Sequence, residues 1–194
     1  MNETLMLISS GLLVAFAILS VFDGVYFHLW KFRLQEREDS KFEHLTHTVR
    51  ALLFIPTLIL IYTLGAKEIW AWVVVVVLGL DLIVETFDVL NEKSSRETLG
   101  GLPSNEYLLH IMLTTIRVAA FTTAFIAIPK EAWNINSNVE MLVPEISKLI
   151  AYNLLPGAVL VLIVHVYLIF DPLFISRIEK IICARFCKRG TKIK

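Results

Sequence analysis

Residues 69–90 read IWAWVVVVVLGLDLIVETFDVL. At about 1.5 Å of rise per residue, a helix of this length crosses the roughly 30 Å hydrocarbon core of a bilayer. The apolar residues do not alternate with polar ones, which excludes a membrane β-strand. Yet the run carries three carboxylates, Asp81, Glu85 and Asp88. They stand at i, i+4 and i+7, so they share one helical face. A charge at the bilayer centre costs roughly 2.5–3.5 kcal/mol on insertion scales. The acidic stripe must therefore turn toward other protein groups. One segment thus predicts both a membrane-spanning helix and a polar interior for it to face.

Four more apolar runs of spanning length lie at about residues 5–30, 45–66, 107–128 and 149–170. The predicted fold class is an all-α integral membrane protein, a bundle of five transmembrane helices. The composition agrees: of 194 residues, 56% are hydrophobic and 19% charged, against about 25% charged in soluble domains. Mean hydropathy is +0.68. A disordered chain and an ordinary soluble enzyme are excluded. The formal net charge is zero, so no nucleic-acid partner is expected. The partners expected are the lipid bilayer itself and a lipid-like or hydrophobic small molecule, with a homo-oligomer left open. The first run begins Met-Asn-Glu-Thr and lacks a basic leader or a small-residue cleavage site, so it reads as a retained helix rather than a signal peptide.

Lysines and arginines set the orientation. Residues 31–43 hold Lys31, Arg33, Arg37 and Lys41; residues 91–106 hold Lys93 and Arg96; the tail holds Arg177, Lys180, Arg185, Lys188, Arg189, Lys192 and Lys194. The opposite connections hold only Lys67, Lys130 and Lys148. The N-terminus is predicted outside and the C-terminus in the cytoplasm, as five spans require, with the cell membrane as the location. Trp70, Trp72 and Trp133 suit an outer aromatic belt and Trp30 an inner one. Residues 1–173 form the transmembrane domain. Residues 174–194 form a basic cytoplasmic tail, either an amphipathic helix on the inner leaflet or a solvated stop-transfer segment. Cys183 and Cys187 in that tail make no disulfide framework and read as apolar positions of such a helix.

A faint repeat runs through the first four spans. Glu43-His-Leu-Thr-His47 opens the second and Glu106-Tyr-Leu-Leu-His110 the fourth. Each Glu-x-x-x-His is preceded by an acid in the helix before it, Asp23 and Glu85, and followed by an arginine, Arg50 and Arg117. Two similar helical hairpins related by an axis along the membrane normal would produce this pattern.

The ionisable residues fall in layers on the cytoplasmic side. By helical rise, His28, His47, Asp88 and His110 lie roughly 5–7 Å from the inner helix ends. Asp23, Arg50, Glu85 and His165 lie roughly 9–12 Å in, and Asp81 and Arg117 about 15–18 Å. Glu43, His47 and Arg50 share one stripe, and Glu106, His110 and Arg117 another. Asp23 and His28 are five apart, about 140° around an α-helix, so both are not expected to reach one centre.

Carboxylates and imidazoles on facing helices are the donor set of a metal site in a bundle. The di-iron carboxylate bundles have a similar rhythm, though with Glu-x-x-His, whereas the spacing here is i,i+4. The expected ligands are Asp23, His47, Glu85, Asp88, Glu106 and His110, with His28 and His165 as further cofactor-binding candidates. Glu85, Asp88, Arg50 and Arg117 are the candidate catalytic groups, the arginines holding an anionic substrate group or neutralising carboxylates. The cofactor expected is a metal ion, iron or zinc, in a metal-dependent oxidoreductase or hydrolase acting on a lipid-like substrate. Three alternatives stand beside it. A b-type haem needs two facing histidines, His47 with His110 or His28 with His165, but leaves the acidic stripe unexplained. A proton or ion pathway needs a polar route to both faces. A scaffold needs only ion pairs, such as Asp81 with Arg117 and Asp23 or Glu85 with Arg50. The chain has no Gly-x-Ser-x-Gly and no Gly-x-Gly-x-x-Gly, so serine-hydrolase and dinucleotide chemistry find no support.

Overall fold

The computed structural model describes residues 1–187. Five long helices and a tail helix account for most of them: α1 (Glu3–Phe22), α2 (Lys41–Tyr62), α3 (Ile69–Ser95), α4 (Ser104–Ala127), α5 (Glu145–Phe170) and α6 (Phe174–Cys187). No strand occurs among the described residues. Four of the helical stretches are long and apolar enough to cross a membrane: Glu3–Lys31, Glu38–Tyr62, Ser104–Ala127 and Glu145–Phe170. The remaining long helix, α3, has 27 residues and bears the acidic stripe, with Asp81, Glu85, Asp88 and Glu92 all buried.

Local chemistry explains the helix ends. The Leu5 N–H donates to Asn2 Oδ1 at 3.1 Å, a side-chain cap on the first turn of α1. Pro103 and Pro144 precede α4 and α5, where a fixed φ and a missing N–H are harmless. Gly65 turns the chain between α2 and α3 at φ +67°, and a Cβ there would sit 3.0 Å from Met141 and Val143. Only glycine fits that turn without displacing its neighbours.

α1 does not end as an α-helix. Residues Asp23–Lys31 continue it as a π-helical segment. The Phe32 N–H donates to the Phe27 carbonyl at 2.9 Å, five residues back, the bond that defines this wider turn.

The helices form a ring. α1 packs against α4 and α5, and α2 packs against α3 and α5. α3 and α4 meet through side chains, with Arg117 reaching across to Asp81 and Glu85. At the end bearing the N-terminus the core is apolar. Met6, Leu13, Leu58, Ile61, Tyr62, Val74, Phe121 and Ala124 pack there. Hydroxyls lock helix to helix in this half: Ser9 Oγ lies 2.6 Å from Tyr62 Oη and donates to the Ala120 carbonyl, and Ser10 Oγ donates to Ser147 Oγ at 2.9 Å. The connections tie off the same end, through Asn2 N–H to Ala127 O and Trp72 Nε1 to Trp133 O. The far end of the bundle carries the buried charged side chains, alongside buried Phe27, Leu34, Leu109 and Leu168.

The tail is helical and docked. Arg33 donates to Ser176 Oγ at 2.8 Å and pairs with Glu179, and Ser176 donates to Glu36. α6 is thus held against the loop after the π segment. The side chain of Cys187 and residues 188–194 lie outside the described residues.

Leu58 is fully buried in the apolar half. Leu58→Ala is expected to lower stability by about 2–5 kcal/mol, the range for emptying a leucine site. Thermal unfolding in detergent checks this against Leu160→Ala, an exposed control (60% accessible), which should melt like the parent protein.

Candidate metal centre

The polar half is organised around Arg96, whose side chain is completely buried. It sits just beyond the end of α3, where the chain turns toward α4. Its guanidinium holds Glu43 of α2 in a two-pronged contact, Nη1 to Oε2 at 2.6 Å and Nη2 to Oε1 at 2.9 Å. It also holds Glu106 of α4, with Nε and Nη2 on Oε1 at 3.0 and 2.5 Å. Burial alone would lower the Arg96 pKa, but the hydrogen bonds and charges of the two glutamates outweigh it and raise the value above that of an ordinary arginine. Ser95 adds a hydroxyl, donating to Glu43. The two Glu-x-x-x-His motifs are therefore joined at their glutamates by one cation.

One turn further along each helix stands the histidine. His47 Nε2 lies 3.0 Å from Asp88 Oδ2. His110 Nε2 lies 3.3 Å from Asp23 Oδ1, and its Nδ1 contacts Glu92. His28 lies between them, its ring centroid 4.7 Å from that of His47 and 5.8 Å from that of His110. His28 Nε2 is 3.4 Å from Asp23 Oδ2 and 3.8 Å from Glu43 Oε1.

The closeness of Asp23 and His28 overturns the expectation that their five-residue spacing keeps them apart. That expectation assumed an α-helix, whereas the π turn brings residues five apart onto one face.

Deeper in the bundle the carboxylates are taken by arginines. Asp81 and Glu85 both pair with Arg117. Arg50 faces Asp81, Glu85 and Asp88 at 3.5, 3.2 and 3.3 Å. Thr114 donates to Glu85 at 2.7 Å and Thr46 to Asp88 at 2.5 Å. This layer is an ion network in which the arginines neutralise the stripe of α3. The expected pairs Asp81–Arg117 and Glu85–Arg50 are present.

Three sets of residues bring donor atoms within 4.8 Å of one another: Asp23 with His28 and His110, His28 with Glu43 and His47, and Glu92 with Glu106 and His110. Of the residues read from the sequence, Asp23, His28, His47, Glu106 and His110 enter these sets. Glu85 and Asp88 do not, among the described residues; arginines and threonines engage them. His165 lies apart: its ring stacks on His44 at 5.0 Å, and its carbonyl is 3.0 Å from His44 Nε2. Its centroid is 6.3 Å from that of His47.

Two components escaped the sequence reading. Glu92 continues the acidic stripe by one further i+4 step, but the apolar run stops before it. Arg96 looked like a loop cation of the positive-inside bias. No local pattern marks it as buried; only the pairing of Glu43 with Glu106 across the bundle does. No family model matches the chain, and neither a curated protein nor a solved structure is similar to it.

Arg96→Ala leaves two buried glutamates facing each other without their cation. The expected loss is about 3–5 kcal/mol, as for removing one partner of a buried pair, read as a large drop in melting temperature. Arg37→Ala removes a partly exposed pair with Asp39 and a hydrogen bond to Thr98 and should change stability by about 1 kcal/mol or less. Equal melting of both variants would show that Arg96 does not hold the layer together.

Proposed function

We propose that the chain is a five-span membrane protein, N-terminus outside and C-terminus cytoplasmic, that holds a divalent metal centre in the inner half of the bilayer and acts there as an enzyme on a lipid-like substrate. The observation that carries this reading is the convergence of buried and half-buried histidines and carboxylates from four helices into sets of donor atoms within 4.8 Å. Nitrogen and oxygen donors in this mixture suit iron or zinc. Zinc would serve as the Lewis acid of a hydrolase, and iron as the centre of an oxidoreductase.

α3 serves as the fifth span. Its length and its position in the ring support this, and its carboxylates are covered by Arg50 and Arg117. The bias of basic residues toward the connections at the polar end supports the orientation.

Two alternatives fit the geometry less well. The imidazoles of His28, His47 and His110 pack ring against ring, a spacing that suits an ion between donor atoms rather than a porphyrin plane between two histidines. An ion path needs polar groups on both sides of mid-membrane. Beyond Asp81 and Arg117 the described buried polar side chains are hydroxyls, among them Ser9, Ser10 and Ser147, packed with Leu58, Leu78 and Phe121.

A lipid-like substrate is supported by a narrow cleft between α3 and α4. Leu78, Leu82, Val118, Phe121 and Phe125 line it, with Asp81 and Arg117 at its polar end. An apolar chain entering from the bilayer would meet the ion network there, about two helical turns from His110 of the donor sets.

Metal analysis of protein purified in detergent without added metal or chelator tests the reading. Iron or zinc in stoichiometric amount is expected, and a background value that persists after metal loading contradicts it. Topology has a separate test in a chain freed of cysteine by Cys183→Ser and Cys187→Ser. Ser137→Cys should then label from outside intact cells and Glu38→Cys only after permeabilisation. The reverse pattern overturns the orientation.

A further inference from the structure

We infer that the centre takes two divalent cations, one at each Glu-x-x-x-His motif: the first among His28, Glu43 and His47, the second among Glu92, Glu106 and His110. This rests on the metal reading above and adds the number and places of the ions. Of the three donor sets, these two share no residue. The third, Asp23 with His28 and His110, borrows one histidine from each.

The two sets are built alike. α1 packs on α4 as α3 packs on α2, so exchanging the hairpin α1–α2 for α3–α4 maps one half of the site onto the other. Each glutamate of a motif lies on Arg96. Each histidine of a motif turns Nε2 toward an aspartate of the helix packed against its own, His47 to Asp88 at 3.0 Å and His110 to Asp23 at 3.3 Å. A carboxylate on one imidazole nitrogen is the usual device for orienting the other toward a metal. His110 Nδ1 accordingly faces Glu92. The third donor of each set comes from the preceding helix of the same hairpin, His28 for α2 and Glu92 for α4.

Unsatisfied atoms are present in both halves. His28 Nε2 and Glu106 Oε2 are buried and make no hydrogen bond. Their residues are 7% and 0% exposed. Buried polar atoms are nearly always bonded, and a cation in each set would engage one of these.

Charge leads to the same count. The layer buries seven carboxylates, Asp23, Glu43, Asp81, Glu85, Asp88, Glu92 and Glu106. Against them stand the guanidiniums of Arg50, Arg96 and Arg117. With these groups ionised and the imidazoles neutral, as metal binding requires, four negative charges remain, which two divalent cations cancel and one does not. The first set, with two imidazoles, should bind a borderline-soft cation more tightly than the second, with two carboxylates.

The test is a titration of the full chain in detergent, stripped by chelator, with Co2+ as the probe. Bound metal per chain and the visible Co2+ spectrum are followed. Two ions per chain are expected, the tighter one lost in His47→Gln and the weaker one lost in His110→Gln, each variant keeping the other. One ion per chain in the parent protein overturns the two-ion inference and leaves the metal reading standing. None removes both. Should either variant fail to fold, the stoichiometry of the parent protein decides by itself.

Discussion

Negative charge buried in an apolar bundle has to be neutralised where it sits, and the polar half of this protein is arranged by that requirement. Water is not at hand to screen the carboxylates, so each must find a cation or a donor within the protein. Arg117 and Arg50 meet it for the deep acids of α3, and Arg96 meets it for the two motif glutamates. Glu92, Asp23 and Asp88 face histidines. Guanidiniums suit the purely structural part because they stay charged and grip carboxylates with two prongs. Histidines suit a site because a neutral imidazole can bind a cation with one nitrogen while a carboxylate holds the other.

The two halves of the bundle divide the work. Apolar packing and a few interhelical hydroxyl contacts fix the helices at the end bearing the N-terminus. That rigid half sets the spacing at which the far ends present their charged groups. The π turn then adjusts α1 locally. It gives up regular α-helical bonding over one short segment and gains a geometry in which Asp23 and His28 both reach the centre. π-helical turns are frequent at functional sites, and this one lies among the donor groups.

The all-helical, membrane-like character was legible in the sequence, because apolar length is a property of the chain itself. The stripes of α2, α3 and α4 followed from helical phase, and the arginine pairs from matched depth. The misses have physical causes. Helical phase presupposes an α-helix, so the π segment reversed the reading of Asp23 and His28. Glu92 fell beyond the apolar run although it stands on the same face as Asp88. Arg96 carries no local sign of burial, because its environment is made by glutamates 53 and 10 residues away in the chain. Glu85 and Asp88 were read from type and depth, and which arginines and threonines meet them depends on how α2 and α4 rotate toward α3.

The most direct measurement of the proposed cation centre is an anomalous difference map from crystals of the detergent-solubilised protein, collected at the iron and zinc absorption edges. The expected result is anomalous density within the polar layer, among His28, Glu43 and His47 and among Glu92, Glu106 and His110. A map without such density, with the histidines closed directly onto Asp88, Asp23 and Glu92, would contradict a metal centre and leave the layer as an ion-paired scaffold.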